Sequence, residues 1–243
     1  MKTLKLFSLF VATTFSLTVV KAQTADEVVN KHIEAIGGAE NWKKVTSMVQ
    51  SGNMSIQGAD IVVVRTVVHA KGSRQDISLM GMNGYMIVTP TAGWNFLPFQ
   101  GQTAPESMTA EDLKQSQDDL DAQGSLIDYK AKGHSIELLG SEDVDGTDCF
   151  KVKVSLKSGR SETMFIEKKG YTLIKSVGSR SANGQEMELT TTYSNYQKLP
   201  EGISIPMSMS MTMTMSMSMS MSMSMPISMT ISMAMAMAMA MAM

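Results

Sequence analysis

The spacing of apolar residues predicts one amphipathic helix near the start of the chain. Apolar side chains recur at helical intervals across Ala25–Ile36. Thr24 and Glu27 have the spacing of a capping box, in which the hydroxyl accepts from the Glu27 N–H and the carboxylate reaches back. Gly37–Gly38 provides the left-handed end that stops a helix. The sequence therefore predicts a helix with one buried face, followed by a short turn that carries Trp42.

From Val45 onward the apolar period changes from that of a helix to that of strands. The alternating segments are separated by turn pairs such as Asn83-Gly84 and Asp145-Gly146, which favour β-hairpins. Because the connections are short, neighbouring strands are expected to be antiparallel. The predicted strands lie near 45–54, 61–70, 73–80, 85–90, 93–97, 134–141, 148–156, 162–168, 171–179 and 185–196.

The alternation also predicts which face of the sheet is apolar. Phe150, Val152 and Val154 alternate with lysines, so the even positions of that strand are expected to face inward. One helix cannot cover the whole apolar face, so the sheet either closes on itself or leaves an apolar cavity. The same pattern assigns one shared face within each of three other strands to Val62, Val64, Val68 and Ala70, to Ile77 and Leu79, and to Met187, Leu189 and Tyr193.

A long interruption between the strands, 100–129, carries a thin apolar stripe. Thr109 is a candidate N-cap, and Leu113 and Leu120 lie on one face of a short helix that ends before Gly124. Because so narrow a stripe contributes little burial, the segment is suited to act as a lid that opens and closes. An ordinary helical connection fits the same pattern.

The C-terminal segment is a low-complexity repeat in which every odd position from Ile203 to Met243 is Ile or Met. Of the 26 methionines, 17 lie in 207–243, where they provide bulk without the shape variety that fixes one packing. The repeat predicts strand structure, but no turn residue sets its register beyond Pro226, where poor order is expected. Regularly spaced thioethers also suit copper(I). An anomalous compositional tail is the simpler interpretation.

The first 22 residues have the pattern of a secretory signal peptide. Lys2 and Lys5 precede an uncharged run, and Val20 and Ala22 give a small-residue cleavage site. No cysteine stands at that site, so a soluble periplasmic protein without a lipid anchor is expected. The leader carries three of the 21 basic residues and none of the 23 acidic ones, so the mature chain has a net charge near −5. Nucleic acid is an unsuitable partner for such a chain.

The sequence contains no motif typical of catalysis. His32, His69 and His134 lack metal-ligand spacing, and no nucleophile elbow, phosphate loop or Cys-x-x-Cys occurs. The acidic run Asp118–Asp121 is interpreted as a solvated helix face. The single cysteine, Cys149, cannot form an internal disulfide and is expected to be a small buried hydrophobe. We therefore expect a protein that is not an enzyme and that needs no cofactor or metal.

The order of these features resembles the outer-membrane lipoprotein-sorting family, the periplasmic carriers related to LolA and LolB. The resemblance spans about 24–206. It implies an incomplete antiparallel barrel around an apolar cavity, with an N-terminal helix, a helical lid and an arginine that ties the lid to the sheet; Arg65 and Arg74 are both candidates. The segments that carry it are Ala35–Gly38 with Trp42, Met86–Pro90, Gly93–Pro98, Phe150–Val154, Thr163–Glu167, Tyr193–Tyr196 and Leu199–Ile203.

The sequence thus predicts a mainly β half-barrel domain over 23–206 with a few helices, flanked by the leader, 1–22, and the tail, 207–243. The resemblance implies a monomeric carrier of lipid or lipoprotein acyl chains toward the outer membrane, with inner- and outer-membrane transport components as further partners. A non-catalytic interaction module with a packed barrel is the alternative. The predicted cavity residues are Val64, Leu79, Trp94, Phe96, Leu113, Leu120, Val152, Val154 and Met187.

Overall fold

The computed structural model describes residues 23–56, 59–182, 185–215 and 220–231. These residues form three α-helices and an antiparallel sheet of 13 strands. The helices are α1 (Ala25–Ala35), α2 (Ala39–Lys43) and α3 (Ala110–Ser116). The strands are β1 (Ser47–Ile56), β2 (Ala59–Val68), β3 (Gly72–Leu79), β4 (Met82–Val88), β5 (Gly93–Phe96), β6 (Glu106–Ser107), β7 (Ser135–Val144), β8 (Thr147–Ser155), β9 (Ser161–Glu167), β10 (Leu173–Ala182), β11 (Gln185–Lys198), β12 (Ser204–Met215) and β13 (Ser220–Ile231).

The sheet is an incomplete barrel, as the sequence predicts. Its strand order is β6-β5-β4-β3-β2-β1-β13-β12-β11-β10-β9-β8-β7, and every pairing is antiparallel. Within the described ranges β6 and β7 are the two free edges, so the barrel does not close. All ten predicted strands are present with small shifts of their ends, and β6, β12 and β13 are added to them.

The first helix begins at the predicted capping box. Thr24 Oγ1 accepts from the Glu27 N–H at 3.2 Å, and Glu27 Oε2 accepts from the Thr24 N–H at 2.9 Å. The helix packs its apolar face, which includes Val28 and Val29, into the concave side of the sheet. There it meets Val152, and together these side chains form the principal core.

The C-terminal end of α1 is joined closely to the start of β12. The Ser204 N–H donates to the Ile36 carbonyl at 2.8 Å. Gly37 has a φ of +111°, and a Cβ at this position would lie only 2.3 Å from the Gly202 carbonyl oxygen. Only glycine suits both the left-handed backbone and the close approach. Helix and strand are therefore fixed to each other here.

Side-chain parity is confirmed in β8 and is opposite to the prediction in β2. Val152 and Val154 are fully buried beneath α1. In β2 the inward side chains occupy odd positions, including Val63 and Val67, whereas Val62 is 45% exposed. This strand is apolar on both faces, so alternation alone could not identify the inner one.

One predicted hairpin turn lies elsewhere. Met80 and Gly81, both with positive φ, connect β3 to β4, whereas Asn83-Gly84 lies within β4. Gly84 is needed there for a different reason, since a Cβ would lie 2.7 Å from the Phe96 carbonyl oxygen. The Asp145-Gly146 turn is confirmed, with φ values of +50° and +84°.

The beginning of the Ile/Met repeat belongs to the sheet. Ile203 and Ile205 are buried, and β12 pairs with β11 along its length. The backbone of β13 pairs with β12 on one side and with β1 on the other, where Met48 lies opposite Ile231. The strand therefore continues past Pro226, where the sequence suggested poor order. The predictions for the leader, 1–22, and for 232–243 lie outside the described residues.

Candidate functional site

A cavity of about 1080 Å³ lies between the concave face of the sheet and the segment that crosses its mouth. Its wall is more apolar than polar. This volume is at the upper end of the range for small-molecule sites. The apolar wall comes from α1, α2, several strands and the crossing segment: Ile36, Trp42, Met48, Val67, Leu120, Leu126, Leu156, Met164, Leu173, Leu189, Ile205, Met209 and Met211.

The crossing segment, residues 110–127, is called the lid. It consists of α3, a 3-10 turn at Gln117–Leu120 and an irregular stretch of bends and turns to Ile127. Leu120, Leu126 and Ile127 are buried along its inner side, whereas α3 has no fully buried residue. The apolar contact is thus concentrated in the second half of the lid, and polar bonds hold the rest.

Arg65 ties the lid to the sheet. It lies on the inner face of β2, and its Nη2 donates to the Asp119 carbonyl oxygen at 2.7 Å. Close by, the Ala70 N–H donates to the Leu120 carbonyl oxygen at 2.9 Å. Arg74 lies on the outer face of β3, where it pairs with Asp76 at 2.7 Å. Of the two candidate arginines, Arg65 is therefore the one that contacts the lid.

A second attachment joins the lid to the β8–β9 hairpin. Asp118 Oδ2 accepts from Ser158 Oγ at 2.7 Å and from Arg160 Nη1 at 3.2 Å. The same Arg160 nitrogen donates to the Gln115 carbonyl oxygen at 3.2 Å. The Arg160 and Asp118 side chains are only 22% and 17% exposed, so water screens their attraction weakly.

A third attachment is centred on Asp121. Lys132 Nζ lies 2.6 Å from Asp121 Oδ2 and also donates to the Gly124 carbonyl oxygen at 2.8 Å. On the other side, Asp121 Oδ1 lies 3.3 Å from His69 Nδ1, which accepts from the Ala122 N–H at 3.3 Å. The lid is thus held by polar and charged side chains from β2, the β2–β3 turn, the segment before β7 and the β8–β9 hairpin.

Polar side chains in the deeper wall are hydrogen-bonded within the protein. His32 donates from Nδ1 to the Tyr171 carbonyl oxygen at 2.7 Å, and burial lowers the pKa of His32 despite that bond. Tyr196 donates to the Leu173 carbonyl oxygen at 2.7 Å, and burial raises the pKa of this phenol. Both pKa shifts favour the neutral forms of these two side chains.

The structure places three of the nine predicted cavity residues on the outer face of the sheet and six on the inner side. Val64, Trp94 and Phe96 lie on the outer face. Residues that pair across neighbouring strands share a face, and these three belong to rows of pairs that alternate with the inward rows of Arg65 and Val67. Leu120 lines the cavity, and Leu113 packs over Gly93 on the inner face. The remaining residues also face inward: Val152 and Val154 in the core beneath α1, and Leu79 and Met187 on β3 and β11.

Sequence reasoning missed the charged groups that hold the lid. The sequence predicts a solvated helix face for Asp118–Asp121, but Asp118 and Asp121 are mostly buried against cations. Their partners Arg160 and Lys132 lie 42 and 11 residues away. The sequence feature that could have indicated these cation partners is the acidic cluster within an otherwise amphipathic segment. Such a cluster can be buried only if cations pair with it.

No group of three or more His, Cys, Asp or Glu side chains that could hold a metal ion is found in the described part of the chain. Likewise, none of the helices described here is both long and apolar enough to cross a lipid bilayer. Among the repeat methionines, Met209 and Met211 line the cavity. Most of the repeat thioethers that the copper(I) hypothesis concerns, at Met213 and from Met215 onward, belong to side chains outside the described part.

The fold is similar to that of solved LolA-like proteins. A LolA superfamily protein from Nitrosomonas europaea matches over 87% of this chain and 94% of its own, with a TM-score of 0.55 and 15% identity. An outer membrane lipoprotein-sorting protein domain from Vibrio parahaemolyticus matches over 84% and 91%, with a TM-score of 0.51 and 12% identity. A DUF1329 family protein from Desulfovibrio piger matches over 86% of this chain and 94% of its own, with a TM-score of 0.52 and 11% identity.

No protein-family model and no curated protein matches the sequence. At these low identities the structural similarity establishes the fold and leaves the ligand to be argued from the site. The fold resemblance that the sequence suggested is confirmed.

Proposed function

We propose that this protein is a non-catalytic periplasmic carrier that shelters lipid or the acyl chains of lipoproteins and transfers them toward the outer membrane. The observation that carries the proposal is the cavity of about 1080 Å³ with an apolar wall, closed by a lid that polar bonds hold. A packed interaction module would not need such a space. Similarity of fold to a lipoprotein-sorting domain supports the same function.

The apolar wall accounts for binding, and the lid accounts for release. Each methylene removed from water contributes about 0.8 kcal/mol, so ten sheltered methylenes contribute about 8 kcal/mol before the costs of association. Breaking one lid bond costs less free energy than unfolding the whole protein, so the lid can open while the sheet stays folded. Loading and unloading then require only that the lid move.

A fluorescent fatty acid tests the proposal directly. The full chain is expected to bind it saturably with a dissociation constant in the micromolar range or below. Leu189→Asp places a charge in the cavity wall and is expected to weaken binding at least tenfold. Thr190→Asp is the matched control, because it changes the neighbouring residue on the opposite face of β11 and should bind as the unaltered protein does.

Two results would contradict the carrier function. Well-folded protein that binds no probe would favour the interaction module. Binding that is equally weakened by both substitutions would place the probe outside the cavity. Mass spectrometry of protein purified under native conditions then identifies any co-purified lipid.

A further inference from the structure

The lid is acidic, and the surface it covers is basic. Residues 110–127 contain five carboxylates and one lysine, giving the lid a net charge of −4. Beneath it lie Arg65, Lys132 and Arg160, all of which line the cavity. Two lid carboxylates, Asp118 and Asp121, pair with Arg160 and Lys132 across the mouth. The closed lid therefore places a carboxylate on each of two cations that line the cavity, Arg160 and Lys132.

From this arrangement, and resting on the proposed function, we propose that the ligand is an amphiphile with an anionic head group, a phosphate or a carboxylate, which replaces the lid carboxylates on Arg160 and Lys132. The acyl chain occupies the apolar wall. The head group takes over from the Asp118 and Asp121 carboxylates as the anionic partner of Arg160 and Lys132.

Charge exchange explains why an anion is favoured over a neutral head group. Opening the lid removes Asp118 from Arg160 and Asp121 from Lys132, and a partly buried cation that loses its partner is unfavourable. An anionic head group restores both pairs, whereas a neutral head group restores neither. Ligand binding and lid opening are thereby coupled through the same two cations.

Arg160 retains a donor that the closed lid does not use. Its Nε is buried and has no hydrogen-bond partner among the described residues, because Asp118 and the Gln115 carbonyl oxygen both accept from Nη1. A phosphate or carboxylate can accept from two guanidinium nitrogens at once. Once the lid has moved, an anionic head group can thus accept from Nε and the adjacent Nη2, the edge of the Arg160 guanidinium that Asp118 does not use.

One acidic group in the wall limits where the head group can lie. Glu162 also lines the cavity, and its Oε1 accepts from Ser125 Oγ of the lid at 3.1 Å. An anionic head group is expected to keep to the side of Arg160 and Lys132, away from Glu162. Repulsion from Glu162 then directs the chain, and not the head, into the deeper wall.

Titration calorimetry with the full chain and three probes tests the proposal: dodecyl phosphate, monododecanoylglycerol and inorganic phosphate. Dodecyl phosphate should bind at least tenfold more tightly than the neutral glyceride, and inorganic phosphate should not bind at millimolar concentration. Equal affinity for the two amphiphiles would overturn the head-group proposal and leave the carrier function intact. Phosphate binding as tight as that of dodecyl phosphate would indicate a free anion site and would also overturn it. If neither amphiphile binds, both proposals fail.

Two substitutions with opposite expected effects guard against loss of folding. Arg160→Gln should abolish the preference for dodecyl phosphate without weakening the neutral glyceride. Asp118→Asn removes the competing carboxylate, so dodecyl phosphate should bind about tenfold more tightly, a gain that misfolding cannot produce. Arg74→Gln, on the outer face, is the control and should bind as the unaltered protein does. A preference that survives Arg160→Gln, or no gain in Asp118→Asn, would contradict the exchange.

Discussion

Replacing Arg65 by methionine should loosen the lid while leaving the sheet intact. Arg65 donates to the Asp119 carbonyl oxygen at 2.7 Å, and its side chain is half-buried in the cavity wall. A hydrogen bond to a charged group contributes about 1.5–3 kcal/mol, and partial exposure favours the lower value. Since about 1.4 kcal/mol is a factor of ten, the population of open lid should increase about tenfold.

Amide hydrogen exchange measures this opening at specific residues. The Ala70 N–H donates to the Leu120 carbonyl oxygen, and the Ala122 N–H donates to His69, so both amides are released when the lid departs. In Arg65→Met both should exchange about tenfold faster, whereas β8 should be unchanged. In the unaltered protein the lid should already exchange faster than β8, because its apolar anchor is short.

Arg74→Met is the matched control for this measurement. It removes an arginine of the adjacent strand whose partner, Asp76, lies on the outer face, away from the lid. Exchange at Ala70 and Ala122 should therefore stay at the rate of the unaltered protein. Unchanged exchange in Arg65→Met, or the same acceleration in Arg74→Met, would refute the assignment of Arg65 as the residue that holds the lid.

Three further predictions concern stability and reactivity. Gly37→Ala should lower the thermal midpoint of unfolding far more than Gly38→Ala. Both glycines have positive φ, but only at Gly37 would a Cβ collide with backbone, at the Gly202 carbonyl oxygen, so equal losses would contradict this. Burial lowers the pKa of His32, so the folded protein binds fewer protons there than the unfolded chain, and stability should fall as pH drops below about 6.5. His32→Asn keeps a donor but takes no proton, so it should lose less stability between pH 7 and 5, and an identical pH profile would argue against this. Burial raises the pKa of the Cys149 thiol to about 11, so a disulfide reagent at pH 8 should label it rapidly only in denaturant; rapid labelling of folded protein would show that the thiol is accessible.

The elements set by local chemistry could be predicted from the sequence. The capping box at Thr24 and Glu27 involves residues three apart, and both of its hydrogen bonds are present. The alternation of β8 is equally local. Lysine and valine alternate along this strand, so only one assignment of its faces puts the charges outside. The same reasoning left two alternatives for the sheet, closure on itself or an apolar cavity, and the structure has an unclosed sheet with a cavity.

The details of the site depend on contacts between distant residues and could not be predicted in the same way. β2 contains four consecutive apolar residues, Ile61–Val64, so a period of two does not select a face. The face that points inward is the one that places Arg65 opposite Asp119, which is 54 residues away in sequence. The assignment of Val64 to the cavity followed from the wrong parity in β2, and the register of the neighbouring strands places Trp94 and Phe96 on the same outer face.

The Ile/Met repeat shows how a segment with no register of its own receives one. Where the repeat begins, Ile203 and Ile205 are buried, and the Ser204 N–H bonds to the end of α1, so this part cannot slip. From Met207 outward each pair of residues is nearly equivalent to the next, and a shift by two would preserve the inward methionines. The register of β12 against β11 is therefore set at its start, near Ile205, and is carried outward by backbone hydrogen bonds. Met209 and Met211 then line the cavity with flexible thioethers, which suit the acyl chains that we propose as the ligand because they need no specific fit.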